Sequence, residues 1–356
     1  MATTAPPTDT AAQAHRAPAY LLTLGGRDIT HNLAGFVMSL TLAETRGDEA
    51  DQLDIELDDS SGRLALPPKG EKLALQLGWQ GRPLVDKGEF VIDEVEHRGA
   101  PDVLCIRARS ADLRGELRTR REASYHGQTL GAIVTAIARR HGLAPRVDPA
   151  LAGIPVGHID QGNESALHFL TRLGRPHDAT ATVKKGALVF ARINARATTS
   201  GQPLPAVRIE RADGDQHRWH AAERDTYTGV RAEWQDTAGA RKRGVVAGDD
   251  RRTKRLRDTY GSEPDARAAA RAELQRLQRG AATLELQLAH ARPDIAPQSA
   301  ATVQGWRKPE IDAAAWIVKT ATHSLDASSG FTTRLELETQ GRDASDLLRL
   351  AEGALY

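Results

Sequence analysis

Residues 52–59, QLDIELDD, alternate strictly: Leu53, Ile55 and Leu57 point one way, and Asp54, Glu56 and Asp58 the other. A period of two in apolar character is what a strand with one buried and one wet face requires, because successive Cβ atoms leave opposite sides of the pleat. The pattern recurs on both sides. VMSLTLAE (37–44) precedes it, and KLALQLGW (72–79) follows with Leu73, Leu75, Leu77 and Trp79 in phase. Turn chemistry separates the segments in GGRD (25–28), DDSSG (58–62), LPPKGE (66–71), WQGRP (79–83) and HRGAPD (97–102). Many short antiparallel strands with one wet face predict a barrel or sandwich.

The period then changes. In TLGAIVTAIARRHGL (129–143), Leu130, Ile133, Val134 and Ile137 recur at helical spacing, and Gly142 followed by Leu143 supplies a helix stop. HIDQGNESALHFLTRLGR (158–175) predicts a second helix with Ala166, Phe169, Leu170 and Leu173 inward. Asn163 is its expected N-cap and Glu164 lies in its first turn. The strand pair ATATVKKGALVFARI (179–193) follows. Strands return in YTGVRAEW (227–234) and RGVVAG (243–248). After the basic stretch DDRRTKRLRD (249–258), Ser262 and Asp265 open a helix that ends before Gly280. TLELQLA (283–289), AAWIVKTATHSL (314–325) and FTTRLELET (331–339) close the pattern. The expected class is mainly β (α+β), with two antiparallel β-barrel domains and a small inserted α/β unit. The expected boundaries are a disordered tail at 1–17, a first barrel at 18–120, an α/β unit at 121–195, a second barrel at 196–340 with a helix at about 262–279, and a tail at 341–356. The two β regions could be a distant duplication.

Composition limits the chemistry. With 356 residues the chain can bury a substantial core, and with one cysteine, Cys105, it can form no intrachain disulfide or thiol-rich metal site. No apolar run approaches a membrane span, and the start lacks the basic and apolar regions of a secretory leader, which predicts folding in a bacterial cytoplasm. A formal net charge of +1 does not mark a dedicated nucleic-acid binder. The arginine runs RGELRTRRE (114–122), ARKRG (240–244) and DDRRTKRLRD are interleaved or flanked by acids, so they predict surface charge or a protein interface. The candidate interface residues are Arg251, Arg252, Lys254, Arg255 and Arg257, and the acidic face of QLDIELDD is a possible partner surface.

Two clusters invite a catalytic reading. Glu164, His168 and Arg172 fall at successive i+4 positions, which on a helix makes one polar stripe facing solvent or a partner. They join the candidate interface residues. His217, His220 and Glu223 in HRWHAAE have a spacing that would align three zinc ligands on a helix face, but the tight H-E-x-x-H signature is absent and a surface cluster is expected. No nucleophile elbow, phosphate loop or dinucleotide fingerprint occurs. No catalytic residue, metal or cofactor is expected.

Four landmarks in order resemble the phage late control D family of baseplate hub proteins: YHGQTLGAIVTAIARRHGLAPRV (125–147), HIDQGNESALHFLTRL (158–173), VKKGALVFAR (183–192) and WRKPEIDAAAWIVKTATHSLDASSGFTTRLELE (306–338). These hubs serve contractile phage tails and tail-like bacteriocins and are similar to the N-terminal half of type VI secretion spike proteins. The resemblance implies two tube-like barrels per subunit and a homotrimeric ring with a pseudo-six-fold face that joins a six-fold tail tube to a three-fold spike. It implies spike and tube proteins as partners, tape-measure and wedge proteins as further ones, and residence in the tail baseplate after assembly. It carries over no catalytic residues. A peptidoglycan-binding or peptidoglycan-cleaving tail protein, with Asp160 and Glu164 as its carboxylates, and a nucleic-acid-binding regulator are the alternatives.

Overall fold

In the computed structural model, residues 17–340 are described except 48–49, 111–116, 118, 185, 194–205 and 222–226. Residues 1–16 of the expected tail at 1–17, the expected tail at 341–356, and residues 114–116 and 118 of the arginine run lie outside these residues. The first β segment contains β1 (Pro18–Leu24), β2 (Arg27–Asp28), α1 (Thr30–Leu33), β3 (Val37–Thr45), β4 (Gln52–Asp58), β5 (Lys72–Trp79), β6 (Val85–Arg98) and β7 (Val103–Ser110). An α/β stretch follows with β8 (Arg120–Thr129), α2 (Leu130–Arg140), β9 (Ala144–Val147), α3 (Pro149–Ala152), β10 (Pro155–Ser165), α4 (Ala166–Gly174), β11 (Ala179–Lys184) and β12 (Ala187–Arg192). Next come β13 (Val207–Glu210), β14 (Gly214–Ala221), β15 (Gly229–Asp236), β16 (Arg241–Gly248), β17 (Thr253–Tyr260) and α5 (Glu263–Arg279). The last elements are β18 (Ala282–Leu288), β19 (Ala300–Gln304), α6 (Pro309–Asp312), β20 (Trp316–Asp326) and β21 (Gly330–Thr339).

The alternation in QLDIELDD is realised as read. Leu53, Ile55 and Leu57 are buried with Leu40, Leu42, Leu73, Leu75, Leu77, Phe90 and Ile92 in one apolar core. The opposite face is not a bare acidic patch, because Arg98 bonds Glu56 at 2.8 Å and Arg107 bonds Glu94 at 2.8 Å while lying 3.9 Å from Asp54. Neighbouring strands therefore neutralise these acids. Cys105 is buried on this same polar face, against Glu56, and not in the apolar core. Strand order in the first barrel is β3-β4-β7-β6-β5-β1, and in the second β14-β18-β21-β20-β19-β13. In each, the first five strands pair antiparallel throughout and are interleaved along the chain in the same way. The two segments share one topology.

They also share one sheet. β3 of the first barrel pairs antiparallel with β20 of the second, from Ser39↔Asp326 to Thr45↔Thr320. Phe331 of β21 enters the first barrel's core, and Trp79 packs on it at 5.2 Å while its indole N–H donates to the Ala291 carbonyl at 3.1 Å. The second barrel's own core gathers Ile209, Leu284, Leu286, Val303, Trp316, Val318, Leu335 and Leu337.

Two smaller units hang on this double barrel. In the first, α2 and α4 bury Ile133, Val134, Ile137, Phe169 and Leu170 against the sheet β11-β12-β9. α2 starts on Thr129, whose hydroxyl accepts from the Ala132 amide. It ends with Gly142 at φ +68°, the Gly142 amide donating to Arg139 and Leu143 reaching back to Ala138. This is the two-bond left-handed stop that a C′ glycine permits. The second unit is β16-β15-β17 with α5, packed through Val230, Ala232, Val245, Ala266 and Ala270. It is inserted between β14 and β18, so the strands read at 227–248 belong to a separate three-stranded sheet. DDRRTKRLRD is itself a turn and a strand, β17.

Leu42 sits at the β3–β20 junction and is fully buried. Leu42→Ala is expected to cost about 2–5 kcal/mol, the range for removing a core leucine side chain. Urea denaturation checks this, and a loss under 1 kcal/mol would mean that the junction is not packed.

Candidate functional site

Members of both candidate groups, Arg172 of one and Lys254, Arg255 and Arg257 of the other, line one cleft of about 870 Å³ between the small α/β units, while Glu164 and His168 do not line it. Arg172, Arg175 and His177 line it from the end of α4, and Lys254, Arg255 and Arg257 from β17. Arg251 and Arg252 stand outside it, in the turn before β17. Arg251 bonds Asp249 at 2.6 Å. Lys254 bonds Glu273 at 2.7 Å and Arg255 bonds Glu233 at 2.5 Å. Arg257 has no ion-pair partner among the described residues.

The polar stripe on α4 has a different origin from that expected. Glu164 is on β10, not in the first turn of the helix, and the cap is Ser165, whose hydroxyl accepts from the His168 amide. Asn163 adopts φ +48° where the β10–β8 register shifts. The helix begins later because the β8–β10 ribbon continues hydrogen bonding up to Ser165. The carboxylate of Glu164 nonetheless meets His168 Nδ1 at 2.9 Å and Arg172 Nε at 3.1 Å. Burial pushes this carboxyl up, but Arg172 and His168 together hold it below its ordinary value. Arg172 also donates to the Asp160 carbonyl and stacks over Phe169 at 5.2 Å. The three residues form a strand-to-helix brace.

On the β8–β10 ribbon, His158 and His126 stack at 4.4 Å, and Asp160 accepts from Ser124 at 2.6 Å. The Ser124 hydroxyl, with weaker help from His158, keeps Asp160 below its usual carboxylate range. A glycosidic general acid needs its pKa raised. Asp160 and Glu164 are both shifted the other way. Ser124 faces a carboxylate instead of an imidazole base, so the group also lacks the nucleophile–base contact of acyl transfer. His217 and His220 lie on strand β14, where a separation of three places them on opposite faces, and Glu223 lies outside the described residues. The helical zinc spacing is therefore not formed. Among the described residues no group of three or more His, Cys, Asp or Glu side chains is arranged to hold a metal ion.

A strongly perturbed buried cluster was not singled out from sequence. At the barrel junction Lys87 Nζ donates to Glu44 at 2.6 Å and lies 3.2 Å from His323 Nε2, and His323 Nδ1 lies 2.8 Å from the Thr333 hydroxyl. Lys184 of β11 approaches Glu44 at 3.9 Å and Asp51 at 3.3 Å. Burial pushes the Glu44 carboxyl up, but the bond with His323 and the charges of Lys87 and Lys184 bring it down to about 2. Burial depresses His323, and its contact with Glu44 only partly opposes that. The available signal was phase: Glu44 is an acid at the inward position that Leu40 and Leu42 occupy. A second knot lies nearby. Arg279 at the end of α5 clasps Asp178 with two guanidinium nitrogens and reaches Glu338 at 3.4 Å, and Glu338 accepts from Arg46 at 2.5 Å. Arg46 just after β3, the end of α5, β21 and the turn before β11 meet there.

Twin barrels joined in one sheet and flanked by small α/β units define a tail-hub class of fold. The tail protein of Neisseria meningitidis MC58 superposes with a TM-score of 0.68 at 16% identity, covering 90% of this chain and 96% of that one. An Escherichia coli component of the type VI secretion system gives 0.53 at 15% identity, over 87% and 74%. The family model described as Phage tail baseplate hub (GPD) matches residues 68–329. The probable baseplate hub protein of Escherichia phage 186 is 42% identical over 368 residues, covering 92% of this chain and 94% of its own. The chain belongs to the phage tail baseplate hub family.

The lowered pKa of Glu44 fixes the sign of a pH effect. Its folded value of about 2 lies below the ordinary 4.5, so its stabilisation is complete above pH 4.5 and disappears as pH falls toward 2. Glu44→Gln is expected to lower stability at pH 7, by up to about 3 kcal/mol, and to flatten the loss between pH 4.5 and 2. Denaturation midpoints across that window check it. Parallel curves for the two proteins would remove Glu44 from the pH response.

Proposed function

We propose that three copies of this chain form the ring that joins the six-fold tail tube to the three-fold central spike, and that the ring acts by geometry and contact area without a catalytic step. The observation that carries this reading is internal. Two barrels with the same strand order in one chain make six barrels in three copies, which is what a three-fold body needs to meet a six-fold tube. Membership of the baseplate hub family supports the same assignment. Tube and spike proteins are the direct partners in this reading, and tape-measure and wedge proteins touch the same assembly. The ring is assembled in the bacterial cytoplasm and then resides in the particle.

An obligate ring of this kind buries thousands of Å² and uses exposed strand edges as well as side chains. The basic cleft wall and the turn before it are the proposed contacts for another tail component. The brace of Glu164, His168 and Arg172 supports the opposite wall. Light scattering on the purified chain, alone and with its spike protein, is expected to give three copies. A persistent monomer in both would overturn the ring. Replacing Arg251, Arg252, Lys254, Arg255 and Arg257 by glutamate is expected to weaken co-sedimentation with tube rings roughly tenfold or more, since reversed charge repels a surface matched to the original sign. Unchanged co-sedimentation would place these residues outside the tube interface.

A further inference from the structure

The two barrels match in register as well as in strand order. In the first, Glu94 stands opposite Arg107, Arg107 opposite Asp54, and Asp54 opposite Thr41. In the second, Thr320 stands opposite Glu336, Glu336 opposite Glu285, and Glu285 opposite Arg218. Irregularities fall at corresponding places: β6 shifts before Glu94 and β20 before Thr320, while β3 shifts between Val37 and Ser39 and β14 between Gly214 and Gln216. Hence β14 is the counterpart of β3, and β6 is the counterpart of β20. Within the chain β3 is joined to β20. The counterparts are not joined to each other.

Both are open where the joint would be. β20 gives the start of one edge to β19 and the rest, Thr320–Asp326, to β3. β6 gives the start of the same edge, Val85–Val91, to β5. From Glu94 to Arg98, paired with β7 on the other side, this edge faces no strand among the described residues. Among the described residues β14 pairs only with β18, and seven of its eight residues are exposed. Trp219 stands at the position of fully buried Leu42 yet is 38% exposed, a large apolar side chain with a vacant side. Charge is mixed on both edges: β14 carries Asp215, Arg218 and two histidines, and the open part of β6 carries Glu94, Glu96 and Arg98, with Arg218 lying 3.7 Å from Glu285 and Arg98 bonded to Glu56 at 2.8 Å within their own barrels. An open edge on a chain whose other barrel already closes the equivalent edge is a template for a second copy.

We infer that β14 of one copy adds antiparallel to the Glu94–Arg98 edge of β6 in the next copy, repeating between subunits the joint that β3 and β20 make within one. This rests on the trimeric-ring reading and names its subunit interface. The in-chain register transfers directly. Thr41↔Ser324 becomes Arg218↔Arg98, two arginines each beside an acid of its own barrel, Leu42↔His323 becomes Trp219↔His97, Ala43↔Thr322 becomes His220↔Glu96, and Glu44↔Ala321 becomes Ala221↔Val95. The pairing is heterologous, and in the proposed three-copy ring it supplies three joints between chains alternating with the three inside them.

Cysteine pairs test it on the full-length chain. In a Cys105→Ser background, needed because Cys105 stands directly opposite Glu96 on β7 of the same chain, the thiols of His220→Cys with Glu96→Cys face each other only across the subunit boundary. Mild oxidation of the assembled hub is expected to give covalent dimers and trimers on a non-reducing gel, and neither single variant should do so. Trp219→Glu is expected to raise the concentration for half-assembly roughly 30-fold or more, as for a central interface tryptophan, without moving the urea midpoint of the monomer. A protein that is trimeric by light scattering but uncross-linked, with Trp219→Glu still trimeric, would overturn the pairing and leave the ring standing. Covalent dimers that never extend to three would overturn it as well. A wild-type chain that stays monomeric with its spike protein would remove the ring and the pairing together.

Discussion

The antiparallel joint between β3 and β20 is the interaction on which the rest of the structure depends. Seven paired residues, from Ser39 with Asp326 to Thr45 with Thr320, turn two barrels far apart in sequence into a single curved sheet. Backbone pairing of this kind fixes angle as well as contact, because strands in one sheet cannot pivot without breaking the ladder. In the ring proposed above, the relative angle of the two barrels is the quantity that this ladder would hold constant.

Buried charge makes this joint specific. Glu44, Lys87 and His323 sit where an apolar trio would pack with less desolvation, and removing any one leaves its partners buried and unmatched. A slip of one residue between β3 and β20 would turn Glu44 to the other face and separate it from both partners. The charges therefore penalise every register but one. Arg279, Asp178, Glu338 and Arg46 extend this to the small units, since the arginine at the end of α5 can satisfy both acids only when the double barrel and both units are in place.

The two small units occupy the places where a duplicated barrel can accept extra chain. One lies between the barrels, and the other replaces the short β3–β4 connection at the corresponding β14–β18 position. Their cleft collects positive side chains from both. The repeated barrels give the chain an internal likeness, and the two insertions, at different places in the repeat, break it.

Much of the fold was legible in the sequence because strand and helix periods are local. QLDIELDD, KLALQLGW and FTTRLELET show which residues face inward, TLGAIVTAIARRHGL shows its helix and its glycine stop, and Ser262 marks the start of α5. The ordered landmarks were enough to indicate the family. Other local readings were overridden by pairing over longer distances: Asn163 and Glu164 were drawn from a helix start into β10 by β8, and His217 and His220 were placed on an edge strand by β18. Period alone identifies a strand and its inward face but not its neighbour, since any two half-buried strands can pair. The union of β3 with β20, the meeting of Glu44, Lys87 and His323, and the open edges of β6 and β14 depend on which strands find each other across hundreds of residues, and only the tertiary structure decided that.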